Sequence, residues 1–214
     1  MKVAAKAAIT ALVLILAAGC MGGRTIHVDV EYAPKKAPPR PFAMDRPLKI
    51  ALIPFTKDPA VSDTLGSWTG LRGKEDTIKA SSPVEKAVTG ATGEYLERIG
   101  FVVETVEPGA DLRTYSDPTA DLVMAGHIKE FKVTASSYLG STRVSTVIRL
   151  RVSIRNMATG SIVTSNVESS SEPVTVVTFD SSVFENSVNT VLAQALANIF
   201  RGTAMENGVI RPAD

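Results

Sequence analysis

The sequence is poor in the residues that most often carry chemistry. Its 214 residues include one cysteine, two histidines and one tryptophan, and aromatic residues make up only 6%. A single thiol forms no internal disulfide, and it leaves a structural zinc site without its usual set of sulfur and imidazole ligands. The main apolar run, Ala7 to Ala18, is shorter than the roughly 20 residues a spanning helix needs. Charge of one sign is also missing, since the formal net charge is +1. Nucleic acid binding, which draws on a concentrated basic footprint, is therefore not expected. What is present is the balance of an ordinary globular chain: 44% hydrophobic and 21% charged residues, enough to bury a core.

The first residues form a pattern of their own. Lys2 and Lys6 precede the apolar run, which ends in Leu16-Ala17-Ala18-Gly19-Cys20. Positive region, apolar region and small residues together read as a signal peptide over residues 1–19. The ending resembles the bacterial lipobox, in which small side chains let an extended backbone enter a protease cleft before an obligatory cysteine. Ala17 stands where that motif prefers leucine. The resemblance implies cleavage between Gly19 and Cys20. It also implies a diacylglyceryl thioether and an N-acyl group on Cys20, with no other cofactor. Two acyl chains already anchor a protein stably, at roughly 0.8 kcal/mol per buried methylene. Met21, not aspartate, follows Cys20, which favours the outer membrane over the inner, with the body facing the periplasm. An ordinary secretory signal followed by a buried free thiol is the competing reading. Loss of residues 1–19 leaves 21 basic and 22 acidic side chains, close to neutrality.

Residues 20–47 read as a lipidated start and a tether. Ile26, Val28, Val30 and Tyr32 alternate with polar residues, the period of a strand with one apolar face. Such a strand could form an edge of the domain or pair with a partner. Pro34, Pro38, Pro39, Pro41 and Pro47 follow, with Lys35, Lys36, Arg40 and Arg46 among them. A proline-rich chain extends at roughly 3.1 Å per residue and could hold the body tens of ångströms from the lipid.

The body is expected over residues 48–202. Leu48 to Phe55 is an apolar strand, and residues 56–82 read as a long polar loop carrying Gly66, Trp68, Gly70 and Gly73. A helix is expected from Ser82, with Glu85 completing a capping box and Gly100 ending it. Phe101–Val106 and Asp121–Val133 read as strands. Arg143–Arg155 alternates cleanly, with Val144, Thr146, Ile148, Leu150, Val152 and Ile154 on one face. A turn over Met157–Gly160 would place Arg149 opposite Glu168, Leu150 opposite Val167 and Ile154 opposite Val163. A second helix follows over about residues 182–201, capped by Ser182 and Glu185, and residues 203–214 read as a frayed tail. The sum is an α+β two-layer sandwich. Its mixed sheet runs β-α-β, then an antiparallel meander, then a helix, with both helices on one face.

The order of these pieces resembles the YajG-type outer-membrane lipoproteins. The resembling segments are Ile50–Phe55, Leu65–Gly70, Glu94–Phe101, Ala120–Phe131 and Ala158–Gly160. The resemblance implies an envelope location and supplies no catalytic residues.

Candidate chemistry is sparse. His127 has Asp121 and Glu130 nearby in sequence, but no nucleophile motif accompanies it. Asp111, Asp117 and Asp121 do not match a calcium loop, so no metal is expected. Trp68, Leu71 and Arg72 either form a partner-binding loop or, for the tryptophan, fold back on the core. Arg149, Arg151 and Arg155 form a row that either meets an anionic ligand or is solvated beside acids such as Glu168. The reading that follows is a non-enzymatic, membrane-anchored binding or accessory module of an envelope assembly or transport complex. It touches the membrane through lipid, serves an envelope protein partner, and has no nucleic acid ligand. A hydrolase of envelope polymers or lipids and a passive structural lipoprotein are the alternatives.

Overall fold

The described chain opens with β1 (Thr25–Val28), β2 (Lys49–Lys57), β3 (Thr64–Thr69) and β4 (Glu75–Ala80). Helix α1 (Val84–Arg98) and β5 (Val102–Thr105) follow. Then come β6 (Leu122–Tyr138), β7 (Ser141–Asn156), β8 (Ile162–Ser170) and β9 (Val174–Val176). Helix α2 (Ser182–Ala197), β10 (Thr203–Glu206) and β11 (Val209–Pro212) complete it. The computed structural model describes residues 23–44, 46–71, 73–139, 141–176, 180–206 and 208–213. The predicted cleavage site, Cys20 and Arg72 lie outside the described residues.

The long β6–β7 hairpin is the spine. Along one edge of β6, first β2 and then β3 pair in parallel, at Ile50↔Leu122 and Gly66↔Val133. Strand β5 extends the sheet beside β2, while β4 and β1 extend it beside β3. On the other side β7 carries β8 and β9, both antiparallel. The architecture is α+β, a curled mixed sheet with two helices.

Residue pattern fixes the register of the spine. Val144, Thr146, Ile148, Leu150, Val152 and Ile154 are all buried, as their alternation predicts. A one-residue slip would turn all six to solvent. That costs on the order of 10 kcal/mol, at roughly 1.5–3 kcal/mol for each large apolar side chain. The Arg149↔Glu168, Leu150↔Val167 and Ile154↔Val163 pairs form as expected. An exposed charge pair contributes at most about 1 kcal/mol, so the apolar face decides and the ion pair only agrees. At the turn, Gly160 takes a φ of 71°, and Asn156 Oδ1 accepts from the Ala158 and Thr159 N–H groups.

Strand β6 changes parity once. Leu122, Met124 and Ile128 face the helices, and so do Phe131, Val133 and Ala135. A bulge between Ile128 and Glu130 adds one residue, Lys129, against β7 and turns the alternation over. Val88, Tyr95 and Leu96 of α1 and Phe184, Val191, Leu192 and Leu196 of α2 fill the core above this face. On the opposite face Ala51, Ile53, Ala120 and Val123 pack against Ala110, Leu112 and Tyr115, so the 106–120 segment covers part of it.

Four sequence expectations change. Residues 56–82 are not one loop, because β3 and β4 form a hairpin within them. Its strands are polar on one side, but Asp76, Ile78 and Ala80 alternate inward. Residues 203–214 are not frayed, because β10 and β11 pair and Ile210 is buried. The helices lack the capping boxes expected of Ser82–Glu85 and Ser182–Glu185. In α1 the Asp63 carboxylate accepts from the Val84 N–H at 3.0 Å, and Glu85 turns instead to Lys57. In α2 no side chain caps, and the first residue before the helix is Ser181.

The proline-rich stretch also differs from a free spacer. It follows β1, which is already hydrogen-bonded into the sheet through Thr25↔Thr77 to Val28↔Ala80. Asn189 of α2 then grips the chain, accepting from the Glu31 N–H and donating to the Asp29 carbonyl. Tyr32 packs edge-on against Tyr95, and Phe42 against Phe200. Aromatic contacts therefore lay residues 29–44 across the domain, which proline spacing alone does not reveal.

The Asp63 cap yields a pH-dependent expectation. Its hydrogen bond from Val84, with help from Lys57, holds its carboxyl below the usual aspartate range. A depressed folded pKa stabilises above the unfolded value, about 3.9, and that contribution is lost as pH falls through the folded value. Asp63→Ala is expected to lose about 1 kcal/mol at pH 7. Urea melts should show a smaller loss at pH 3, and an equal loss at both would remove the charge contribution.

Candidate functional site

The arginine row divides into different roles. Arg149 bridges Glu130 at 2.6 Å and Glu168 at 3.0 Å, so its charge is met within the sheet. Arg155 donates through Nη1 to the carbonyls of Leu112, Arg113 and Tyr115 and clamps the covering segment. Arg151 has no carboxylate or carbonyl partner among the described residues. It lies opposite His127 on β6 and Asn166 on β8. An anion-facing role thus contracts from three arginines to Arg151.

Around Arg151 the sheet forms an open cavity of about 470 Å³, with Thr56, Asp58, His127, Lys129 and Ser153 in its lining. Two irregularities build it. Lys129, two residues from His127 and on the same face, sits at the bulge in β6, and its ammonium reaches Asn166 Oδ1 at 3.5 Å. A register shift between Ile53 and Thr56 in β2 sets Thr56 beside His127. Bulges often re-aim a side chain at a binding site.

His127 is held from both sides. Its Nε2 lies 3.0 Å from Asp58 Oδ1, and its Nδ1 lies 2.7 Å from Thr56 Oγ1. A carboxylate only accepts, so in the neutral ring Asp58 assigns the proton to Nε2, and Nδ1 accepts from the Thr56 hydroxyl. This has the connectivity of a hydroxyl–imidazole–carboxylate relay. The flanking backbone donors are already used: Phe55 N–H donates to Thr89 Oγ1 and Asp58 N–H to the Ile128 carbonyl. The donors left in the lining are the side chains of Arg151 and Lys129.

Sequence neighbours do not supply the carboxylate on His127. Glu130 serves Arg149, and Asp121 binds Arg46 and the Lys49 N–H. The Arg46 guanidinium holds the Asp121 carboxyl low, and backbone donors do the same for Asp111 and Asp117. Each of these aspartates is spent locally. No cluster of three or more potential metal ligands occurs among the described residues. The signal for Thr56 and Asp58 is indirect, Pro54 inside an apolar strand, whereas Lys129 follows from its two-residue spacing from His127.

Trp68 and Leu71 part company. Trp68 sits on β3, packs against the core and donates from Nε1 to Ser137 Oγ at 2.8 Å. Leu71, in the turn that follows, is 63% exposed.

No protein-family model matches this chain, and no curated protein is a significant match. Several solved structures resemble it. The PelC dodecamer from Paraburkholderia phytofirmans is 13% identical, over 77% of this chain and 94% of that one, with a TM-score of 0.43. A lipoprotein from Neisseria meningitidis is 13% identical, over 69% and 97%, with a TM-score of 0.37. A homologue of a neuraminyllactose-binding hemagglutinin from Helicobacter pylori is 12% identical, over 80% and 87%, with a TM-score of 0.38. At such values function rests on this chain's own residues. Among the described residues no helix is long and apolar enough to cross a membrane.

Proposed function

We propose that this chain is a lipid-anchored, non-enzymatic binding module serving an envelope assembly or transport complex. It is held at the outer membrane, facing the periplasm, by acyl chains on Cys20. The observation that carries the reading is the position of the sole cysteine. It directly follows an apolar segment and small residues, and it precedes by five residues a strand built into the sheet. Arg151 and Lys129 offer the partner an anion-binding face.

A second reading, a hydrolase acting on envelope polymers or lipids, draws on one observation, the Thr56–His127–Asp58 contact. The two readings separate in cells. A photo-crosslinking residue at Thr164, whose hydroxyl lies 2.9 Å from that of Ser153 in the cavity lining, should capture a discrete envelope protein. Arg151→Ala with Lys129→Ala should cut capture roughly tenfold or more, since a charged hydrogen bond contributes about 1.5–3 kcal/mol. Thr56→Val should leave it unchanged. Loss of envelope integrity with Thr56→Val, and not with the cation variant, would favour the hydrolase.

A further inference from the structure

One end of the sheet gathers features that belong together only when the chain's start is considered. At Arg24 the carbonyl accepts from the Thr77 N–H, and its own N–H donates to Asp76 Oδ1 at 2.7 Å. Gly23 lies so close to β4 that a β-carbon there would stand 2.1 Å from the Glu75 carbonyl oxygen. The chain therefore enters the domain at the first residues of β4. Cys20 precedes Gly23 by three residues, a reach of roughly 10 Å at full extension. A lipid on Cys20 would therefore leave the protein near this end.

Two turns share that end. Strand β3 runs parallel to β6 up to Thr69↔Ser136, so the 70–74 turn lies beside the β6–β7 turn. Leu71 is 63% exposed, Tyr138 60% and Leu139 95%. These are three of the six large hydrophobic side chains most exposed among the described residues. Burial within the fold does not explain them. Arg24, Lys74 and Arg143 are exposed at the same end, and none of their charged groups pairs with a carboxylate among the described residues. Apolar tips ringed by long cationic side chains suit the boundary between headgroups and acyl chains. Each cation near an anionic surface adds its own attraction.

We infer that this end of the sheet is a bilayer-contact surface for anionic glycerophospholipid. Leu71, Tyr138 and Leu139 enter the headgroup region, and Arg24, Lys74 and Arg143 meet phosphates. The inference rests on acylation of Cys20. The domain then stands on its end against the membrane, with no long spacer between them. Arg151 and Lys129 face the periplasm some nine residues of strand above the tip, on the order of 30 Å.

The test uses full-length mature protein extracted from membranes and placed in vesicles of phosphatidylethanolamine and phosphatidylglycerol. Its intact mass first reports whether Cys20 carries acyl chains, and an unacylated mass overturns both the parent reading and this one. In acylated protein a fluorophore is attached at L139C or, as reference, at I162C. Ile162 pairs with Arg155 at the far end of β7. Lipid-phase quenchers are expected to quench the probe at 139 several-fold more than the probe at 162. Omitting phosphatidylglycerol should weaken the difference. An acylated protein whose probe at 139 stays as water-exposed as that at 162 overturns the inference alone, and it points to a protein partner at this end. Leu139 is almost fully exposed, so neither result reflects misfolding.

Discussion

Serine in place of Cys20 is expected to abolish the acylated species and its membrane retention. The thioether needs sulfur, and cleavage before residue 20 follows lipid transfer in proteins that carry the resembling motif. The size of the effect comes from the lipid. At roughly 0.8 kcal/mol per methylene, two or three chains exceed any contact the folded domain makes with a bilayer. Intact mass and carbonate-washed membrane fractions read the result. A C20S protein with the native mass, retained as firmly as the parent, would end the lipid-anchor reading. The sheet tip does not rescue retention, because three exposed side chains and a few cations give only marginal, reversible binding.

The second large effect is on stability. Gly66→Ala is expected to lower the stability of the domain by about 3 kcal/mol or more, at the upper end of what overpacking costs. A β-carbon at Gly66 would lie 1.8 Å from the Val133 carbonyl oxygen and 2.9 Å from its carbon. Both contacts are with the backbone of β6, so no rotamer change relieves them. Relief requires β3 to leave β6, breaking the pairs from Gly66↔Val133 to Thr69↔Ser136. For a domain of this size that loss is a fall in Tm of roughly 6–12 °C. Gly90→Ala is the contrasting control. Gly90 is exposed within α1 and nothing lies within 4 Å of its added β-carbon. The alanine should stabilise by about 0.5–1 kcal/mol. Thermal melts monitored by circular dichroism compare the two. A Gly66→Ala melt within about 2 °C of the parent, well inside that expected shift, would show that β3 can shift without leaving β6.

The sequence made β7 and both helices legible because each buries a face with one period throughout. Ile148, Leu150 and Val152 show it in β7, and Val188, Val191 and Leu192 in α2. Legibility fails where a long-range contact replaces a local one. Asp76 is buried in a polar-looking strand because it accepts from the Arg24 N–H, 52 residues away. Ser82 and Glu85 have the spacing of a capping box, yet Asp63 takes the cap and Lys57 takes the glutamate. In the candidate cavity, period-two counting places His127 and Lys129 on one face, but it does not show that the bulge after Ile128 carries Glu130 to that face as well, beside Arg149. Nor does spacing show that Glu130 and Leu112 consume Arg149 and Arg155.

The parallel pairing of β1 with β4 has a mechanical consequence. Both strands begin at the end where the chain enters the sheet, so under the lipid-anchor proposal tension on Cys20 would pull β1 along its own axis. The ladder from Thr25↔Thr77 to Val28↔Ala80 is then loaded in shear, with its bonds sharing the force, and is not unzipped one at a time. Asn189 and the Tyr32–Tyr95 contact stand behind it as further stops. On that proposal, machinery that lifts the protein out of a bilayer by its body would meet a joint that yields late and all together.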